Sequence, residues 1–163
     1  GMLRTLVAHH VRFVIIGGFA VSLHGYVRAT KDIDIVPAPD AENMSRLWDA
    51  LHELDARPAE LGEFAPGELP APFSQGLVEG GGNRIVYTRL GRIDLVLHVE
   101  DADGEVPYDE LRAAADSEEF EEVNGVLWFA SAEHLIAMKL HAGRDEDLRD
   151  VTALRRALGI QDD

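Results

Sequence analysis

Apolar and polar positions along the chain change period several times, and each change marks an element. Leu3 to His10 reads as a short helix. Phe13-Val14-Ile15-Ile16 is a compact apolar run with β-branched residues, which predicts a buried strand. Gly17-Gly18 ends it, and Phe19 to His24 opens a helix. Asp32 to Val36 alternates acid with isoleucine and predicts a second strand, stopped by Pro37 and Pro39. Asp40 is the expected N-cap of a helix through Leu54, where Met44, Leu47, Leu51 and Leu54 recur at helical spacing.

Residues Pro58 to Asn83 are rich in proline and glycine and read as a long loop with room for one short strand, of the kind that is usually functional or mobile. Arg84 to Thr88 and Arg92 to His98 predict a hairpin around Leu90-Gly91. Pro107 opens a short helix through Ala115. Phe120 to Val123 and Val126 to Phe129 flank Asn124-Gly125, a two-residue hairpin signal. Ser131 is the expected N-cap of a helix to His141, and Asp145 to Leu158 forms the last helix after Gly143. Strands and helices with both parallel and hairpin connections predict an α/β or α+β fold with a mixed sheet. The expected organisation is one domain over residues 2–163, with a C-terminal helical pair, residues 131–158, packed on it. Gly1 reads as a residue left by tag cleavage.

Composition narrows the functions. Of 163 residues, 46% are hydrophobic, which supports a core and excludes an intrinsically disordered chain. The formal charge is −15, against a general grip on duplex DNA. With no cysteine, disulfides, Cys-based zinc sites and thiolate nucleophiles are excluded. The apolar runs are too short to span a bilayer, and Arg4, His9, His10 and Arg12 break any signal-peptide pattern, so a cytoplasmic domain is expected.

The charge is uneven. Residues 1–31 hold no Asp or Glu but carry Arg4, Arg12, Arg28 and Lys31, a segment suited to anionic ligands. Residues 100–122 are densely acidic, with Arg112 as the lone base, and read as a solvated face.

Three features carry chemistry. Gly17-Gly18, between a buried strand and a helix, permits close backbone approach to a phosphate. In Lys31-Asp32-Ile33-Asp34-Ile35, strand alternation puts both carboxylates on one face, where they can converge on hard cations. Asp94 is a single acid within the apolar strand Arg92 to Leu97. If it shares that face, three carboxylates can hold two Mg²⁺ ions, the arrangement that clamps a phosphoryl displacement. Otherwise Asp94 is a structural hydrogen-bond acceptor.

Taken together, Gly17-Gly18, thirteen residues, Asp32-x-Asp34 and a later strand Asp94 resemble the polymerase-β-like nucleotidyltransferase superfamily. The stretches Gly17-Gly18-Phe19-Ala20, Gly25 and Arg28 to Asp34 are similar to its small bacterial members, the AbiEii-type toxins and the lincosamide and aminoglycoside nucleotidyltransferases. Lys139, Ala142, Arg144, Asp147 and Asp150 resemble the Lys-x-x-Ala-x-Arg-x-x-Asp-x-x-Asp tail of the AbiEii-like group.

The resemblance implies a nucleotidyltransferase fold, a mixed central sheet flanked by helices. It implies transfer of a nucleoside monophosphate from a nucleoside triphosphate, such as ATP, to an acceptor hydroxyl. Asp32, Asp34 and Asp94 would hold two Mg²⁺ ions, and Asp94 would assist deprotonation of the acceptor. Gly17 and Gly18 would cradle phosphates, Lys139 would meet the departing pyrophosphate, and Arg28, Thr30, Lys31 and Arg144 would complete the nucleotide site. The acceptor would be tRNA or another macromolecule, as for the toxin of a toxin–antitoxin pair with its cognate antitoxin, or a small molecule such as an antibiotic. A non-catalytic nucleotide- or partner-binding module with this fold is the alternative.

Outside these residues the expectations are plainer. Asp147 and Asp150 are expected to cap, or to pair with Lys139 or Arg144. His98 shares the strand face of Asp94, yet an ordinary surface or core role is favoured. None of the seven histidines forms a His-x-x-x-His pattern. Trp48 and Trp128 read as core residues.

Overall fold

The computed structural model describes residues 1–18, 20, 32–58 and 83–159. The expected helix over Phe19 to His24 and nearly all of the long loop lie outside the described residues, as do Arg28, Thr30 and Lys31.

The chain opens with α1 (Met2–Ala8) and β1 (Phe13–Ile16), followed by β2 (Asp32–Pro37) and α2 (Ala41–Glu53). Next come β3 (Arg57–Pro58), β4 (Asn83–Thr88) and β5 (Gly91–Val96). A short ribbon, β6 (Glu100–Asp101) and β7 (Gly104–Glu105), leads to α3 (Tyr108–Ala114) and β8 (Asp116–Phe120). A 3₁₀ turn (Glu121–Val123), β9 (Gly125–Phe129), α4 (Ala132–Ala142) and α5 (Asp145–Ala157) complete it.

Among the described residues, seven strands form one mixed sheet in the order β3–β4–β5–β2–β1–β9–β8. The pairs β2–β5 and β1–β9 are parallel, and the remaining pairs are antiparallel. This is the mixed α/β architecture that the alternation of elements predicted.

The isoleucines of the Asp-x-Asp strand explain its place. Ile35 is fully buried, paired with Ile15 on one side and Leu95 on the other. This row belongs to the core that also contains Leu47, Leu51 and Leu54 from α2 and its C-cap, together with Leu6 of α1. Burying a leucine or isoleucine contributes about 1.5–3 kcal/mol, so this side fixes the register of the sheet. Asp32 and Asp34 are thereby turned to the opposite face.

The buried Asn43 ties α2 to the strands. Its Nδ2 donates to the carbonyls of Arg12 (2.9 Å) and Ala38 (2.8 Å), and its Oδ1 accepts from the Arg12 N–H (2.7 Å).

Asp40 and Ser131 act as N-caps, accepting from the N–H groups of Asn43 and His134. Pro107 caps α3 from outside rather than forming its first turn. The expected strand Phe120 to Val123 is corrected. The strand is Asp116–Phe120, and Glu121–Val123 winds into a 3₁₀ turn ended by Asn124 in the left-handed conformation (φ 54°). The strand expected to reach His98 ends at Val96. Trp128 is not a fully buried core residue; the Arg112 guanidinium stacks over its ring, 3.1 Å from the centroid.

Candidate active site

The register places the chemistry. Asp34 stands opposite Ile16 on β1 and opposite Asp94 on β5, and Asp32 stands opposite Arg92. Residues opposite each other in adjacent strands share a face. The three carboxylates are therefore on one side of the sheet, on its two central parallel strands.

Gly17 follows Ile16 directly and has φ +74°, a backbone that side chains rarely adopt. A β-carbon there would lie 1.9 Å from Asp34 Oδ2. The glycine thus lets the chain turn against the carboxylate.

Arg92 completes the cluster. Its Nε donates to Asp94 Oδ1 (2.7 Å) and its Nη2 to Asp94 Oδ2 (3.0 Å), while Nη1 lies 3.6 Å from Asp32 Oδ2. Burial pushes the Asp34 carboxyl up to about 7, helped by the charge of Asp94, hydrogen bonding with it and the charge of Asp32, with Arg92 opposing. Arg144 also feels the charge of Asp34 from across the cleft.

That donor chemistry fits a hard divalent cation: carboxylate oxygens gathered on one face of the sheet. The fit is incomplete as the side chains stand. Among the described residues no group of three or more His, Asp or Glu is placed to hold a metal ion. The bidentate Arg92 contact engages both oxygens of Asp94. Sequence reasoning overlooked Arg92, although its position two residues before Asp94 put both on one strand face.

Asp34 and Gly17 open into a cleft of about 410 Å³ beneath α4 and α5. Lys139, Arg144, His98 and His141 line it, as do Asn83 and Val96 from the far end of the β4–β5 hairpin. Lys139 is 12% exposed and donates to Asp150 Oδ2 (2.8 Å), with Asp147 Oδ1 at 3.7 Å. Arg144 Nε donates to Asp147 Oδ2 (2.7 Å). Burial alone would raise the Asp147 carboxyl, but the Arg144 hydrogen bonds and the charges of Arg144 and Lys139 hold it below the ordinary range. Asp147 and Asp150 thus pair with Lys139 and Arg144 and set the two cations at the cleft wall.

His98 borders the cleft and bonds Glu100 (Nε2–Oε1 2.7 Å), a contact that raises its affinity for a proton. Glu100 also faces His141, at 3.4 Å.

A turn at Gly17, carboxylates on adjacent parallel strands and cations across a cleft thus meet on one side of the sheet. Similar solved structures are nucleotidyltransferases. ANT(2'')-Ia in complex with adenylyl-2''-tobramycin matches with a TM-score of 0.57 at 13% identity, over 97% of this chain and 86% of that one. The solution structure of the antibiotic-resistance factor ANT(2'')-Ia matches with a TM-score of 0.56 at 14% identity, over 97% and 83%. The lincosamide antibiotic adenylyltransferase LnuA, lincomycin-bound, matches with a TM-score of 0.54 at 14% identity, over 93% and 90%. At these identities the likeness is one of fold. No match is found among curated proteins.

Residues 2–162 match the family described as nucleotidyl transferase AbiEii toxin, type IV toxin–antitoxin system, and the chain belongs to that family. It is a nucleotidyltransferase, an enzyme that moves a nucleoside monophosphate.

Proposed function

We propose that the enzyme transfers a nucleoside monophosphate from a nucleoside triphosphate, ATP among them, to an acceptor hydroxyl, with two Mg²⁺ ions as cofactor. The observation that carries this reading is the pairing of Asp34 with Asp94 beside Gly17, at the mouth of a cleft bearing Lys139 and Arg144. Asp32, Asp34 and Asp94 would hold the cations, with Arg92 giving up its contacts to Asp94. When bound, divalent cations lower the pKa of an acceptor hydroxyl and offset charge on the phosphoryl group.

The chain's own residues supply the rest. Gly17 and Gly18 let the backbone approach the phosphates. Arg28, Thr30 and Lys31 belong to the same nucleotide site by the motif they share with the family. The acceptor oxygen bonds to the α-phosphorus while the bond from that phosphorus to the bridging oxygen breaks. The acceptor proton passes to Asp94. Pyrophosphate leaves toward Lys139 and Arg144, whose charges oppose its own. The acceptor is a macromolecule such as tRNA, with a cognate antitoxin as the protein partner, or a small molecule such as an antibiotic.

Label transfer tests this. Enzyme, Mg²⁺ and each α-labelled nucleoside triphosphate are mixed with a host extract, then separated into RNA, protein and small-molecule pools. Label is expected in one pool, and none with the Asp32→Asn/Asp34→Asn double variant, whose melting temperature shows it folded. Full activity in that variant overturns the assignment.

A further inference from the structure

A second pocket, of about 290 Å³, lies at the opposite end of β1 from Gly17. It opens between α1, the turn that leads into β1, α3 and β9. From its wall at Phe13, β1 runs roughly 13 Å to Gly17, at a strand's rise per residue. The pocket and the catalytic cleft share no described residue.

Its walls are of two kinds. Val11, Phe13 and Leu127 are buried and supply an apolar floor. His10, Arg12, Tyr108, Arg112 and Trp128 supply the polar atoms. The chain has 30 acidic residues, yet among the described residues no Asp or Glu lines this pocket.

The polar groups are donors without acceptors. The half-buried Arg112 guanidinium sits over the Trp128 ring, and among the described residues it has no carboxylate partner and no hydrogen-bond acceptor. The Tyr108 hydroxyl, the Trp128 indole N–H and the His10 ring likewise have no hydrogen-bond partner among the described residues. A guanidinium and an indole N–H can only donate. A ligand that displaces water from them must bring acceptors, or the donors are left unsatisfied at a cost.

The amount of charge narrows the class. Arg12 is already engaged by Asp40. Burial raises the pKa of the Tyr108 hydroxyl, the charges of Arg112 and Arg12 oppose this, and those of Asp109 and Asp40 add to it. Both guanidiniums therefore stand near that hydroxyl, and one of them is uncommitted. One guanidinium balances one negative charge, whereas a phosphate monoester carries about 1.5–2 at pH 7. A nucleobase is also a poor fit, because Arg112 already covers one face of Trp128 at 3.1 Å. A carboxylate matches the guanidinium fork, and the apolar floor asks for an apolar body behind it.

We infer that this pocket binds a small aliphatic monocarboxylate, its carboxylate on Arg112 and Tyr108 and its chain on Val11, Phe13 and Leu127. The occupant touches α3, β9 and the entry to β1 together, so it binds the folded chain and stabilises it. The site is separate from the transferase reaction and stands whether or not that reading holds.

The probe is sodium 4-methylpentanoate, titrated into the full chain by calorimetry at constant ionic strength. Its neutral isostere 4-methylpentanamide and inorganic phosphate are parallel arms. Saturable binding of the acid is expected with a Kd of about 1 mM or tighter, and the amide is expected to bind about tenfold or more weakly. Arg112→Gln is expected to weaken the acid about tenfold or more and to abolish the rise in melting temperature that it gives wild type. Tyr108→Phe, which loses one hydroxyl and keeps the ring, carries the same test if Arg112→Gln does not fold, with an expected loss of about threefold or more. Arg46→Gln, on α2 and outside the pocket, is expected to bind as wild type.

No saturation by about 10 mM overturns the site. So does wild-type binding by folded Arg112→Gln, or an equal loss in Arg46→Gln, which would mark a general charge effect. Amide or phosphate binding as tightly as the acid overturns the monocarboxylate class.

Discussion

At Gly17 a β-carbon would stand 1.9 Å from Asp34 Oδ2, and the backbone φ is +74°. Both demands fall on one residue, so neither can be relaxed alone. Gly17→Ala is expected to cost about 1–3 kcal/mol from the strained backbone and to displace Asp34. A lowered urea midpoint together with loss of nucleotide transfer is the expected result.

Asp147 gives a pH signature. Its folded pKa lies below the ordinary value, so its stabilisation is complete above about pH 4 and is lost as pH falls through the folded value. Asp147→Asn should therefore be less stable at pH 7 by about 1–3 kcal/mol. The gap to wild type should close in acid. Urea denaturation at stepped pH checks this.

The residue types of the cluster were legible in the sequence, because alternation alone separates Asp32 and Asp34 from Ile33 and Ile35. The pairing of Asp34 with Asp94 was not. Register between strands distant in sequence depends on which apolar sides pack together, and no local pattern records that.

Elements were legible where a cap or an apolar period marks them. Asp40 and Ser131 were identified as caps because a short side-chain acceptor before an apolar run has one use there. Ser131→Ala should cost about 1 kcal/mol, read as a lower melting temperature, because it leaves the His134 N–H without the Ser131 acceptor, the bond at 3.1 Å.

The Asn124-Gly125 signal misled by its breadth. Asn124 does adopt the left-handed conformation, but it closes a 3₁₀ turn rather than a two-residue hairpin loop. The β6–β7 ribbon escaped notice because its four residues are acids and a glycine, with no apolar alternation to show.

Charge acts on the scale of the whole molecule. A surplus of fifteen negative charges repels itself in the folded state more than in an expanded chain. Raising monovalent salt from low concentration screens that repulsion over about 10 Å at 0.1 M. The melting temperature should rise with salt, a trend that thermal scans in sodium chloride would show, and a fall would mean that specific ion pairs outweigh the surplus. The sequence marks the acid-free N-terminal segment as one that could supply a local basic patch. Within the described part of that segment, Arg12 is engaged by Asp40. On the β4–β5 hairpin Arg92 is likewise engaged, by Asp94 and Asp32.

Strand β1 pairs with β2, soon after it in the chain, and with β9, far along it. Contacts of such separation are slow to form, since the intervening chain must first be gathered. The sheet therefore cannot close around β1 until residues 125–129 are free to pair with it. Lys139, which β9 delivers through α4, is out of place until then. A chain made only as far as β8 therefore lacks both a neighbour of β1 and the cleft wall that carries Lys139.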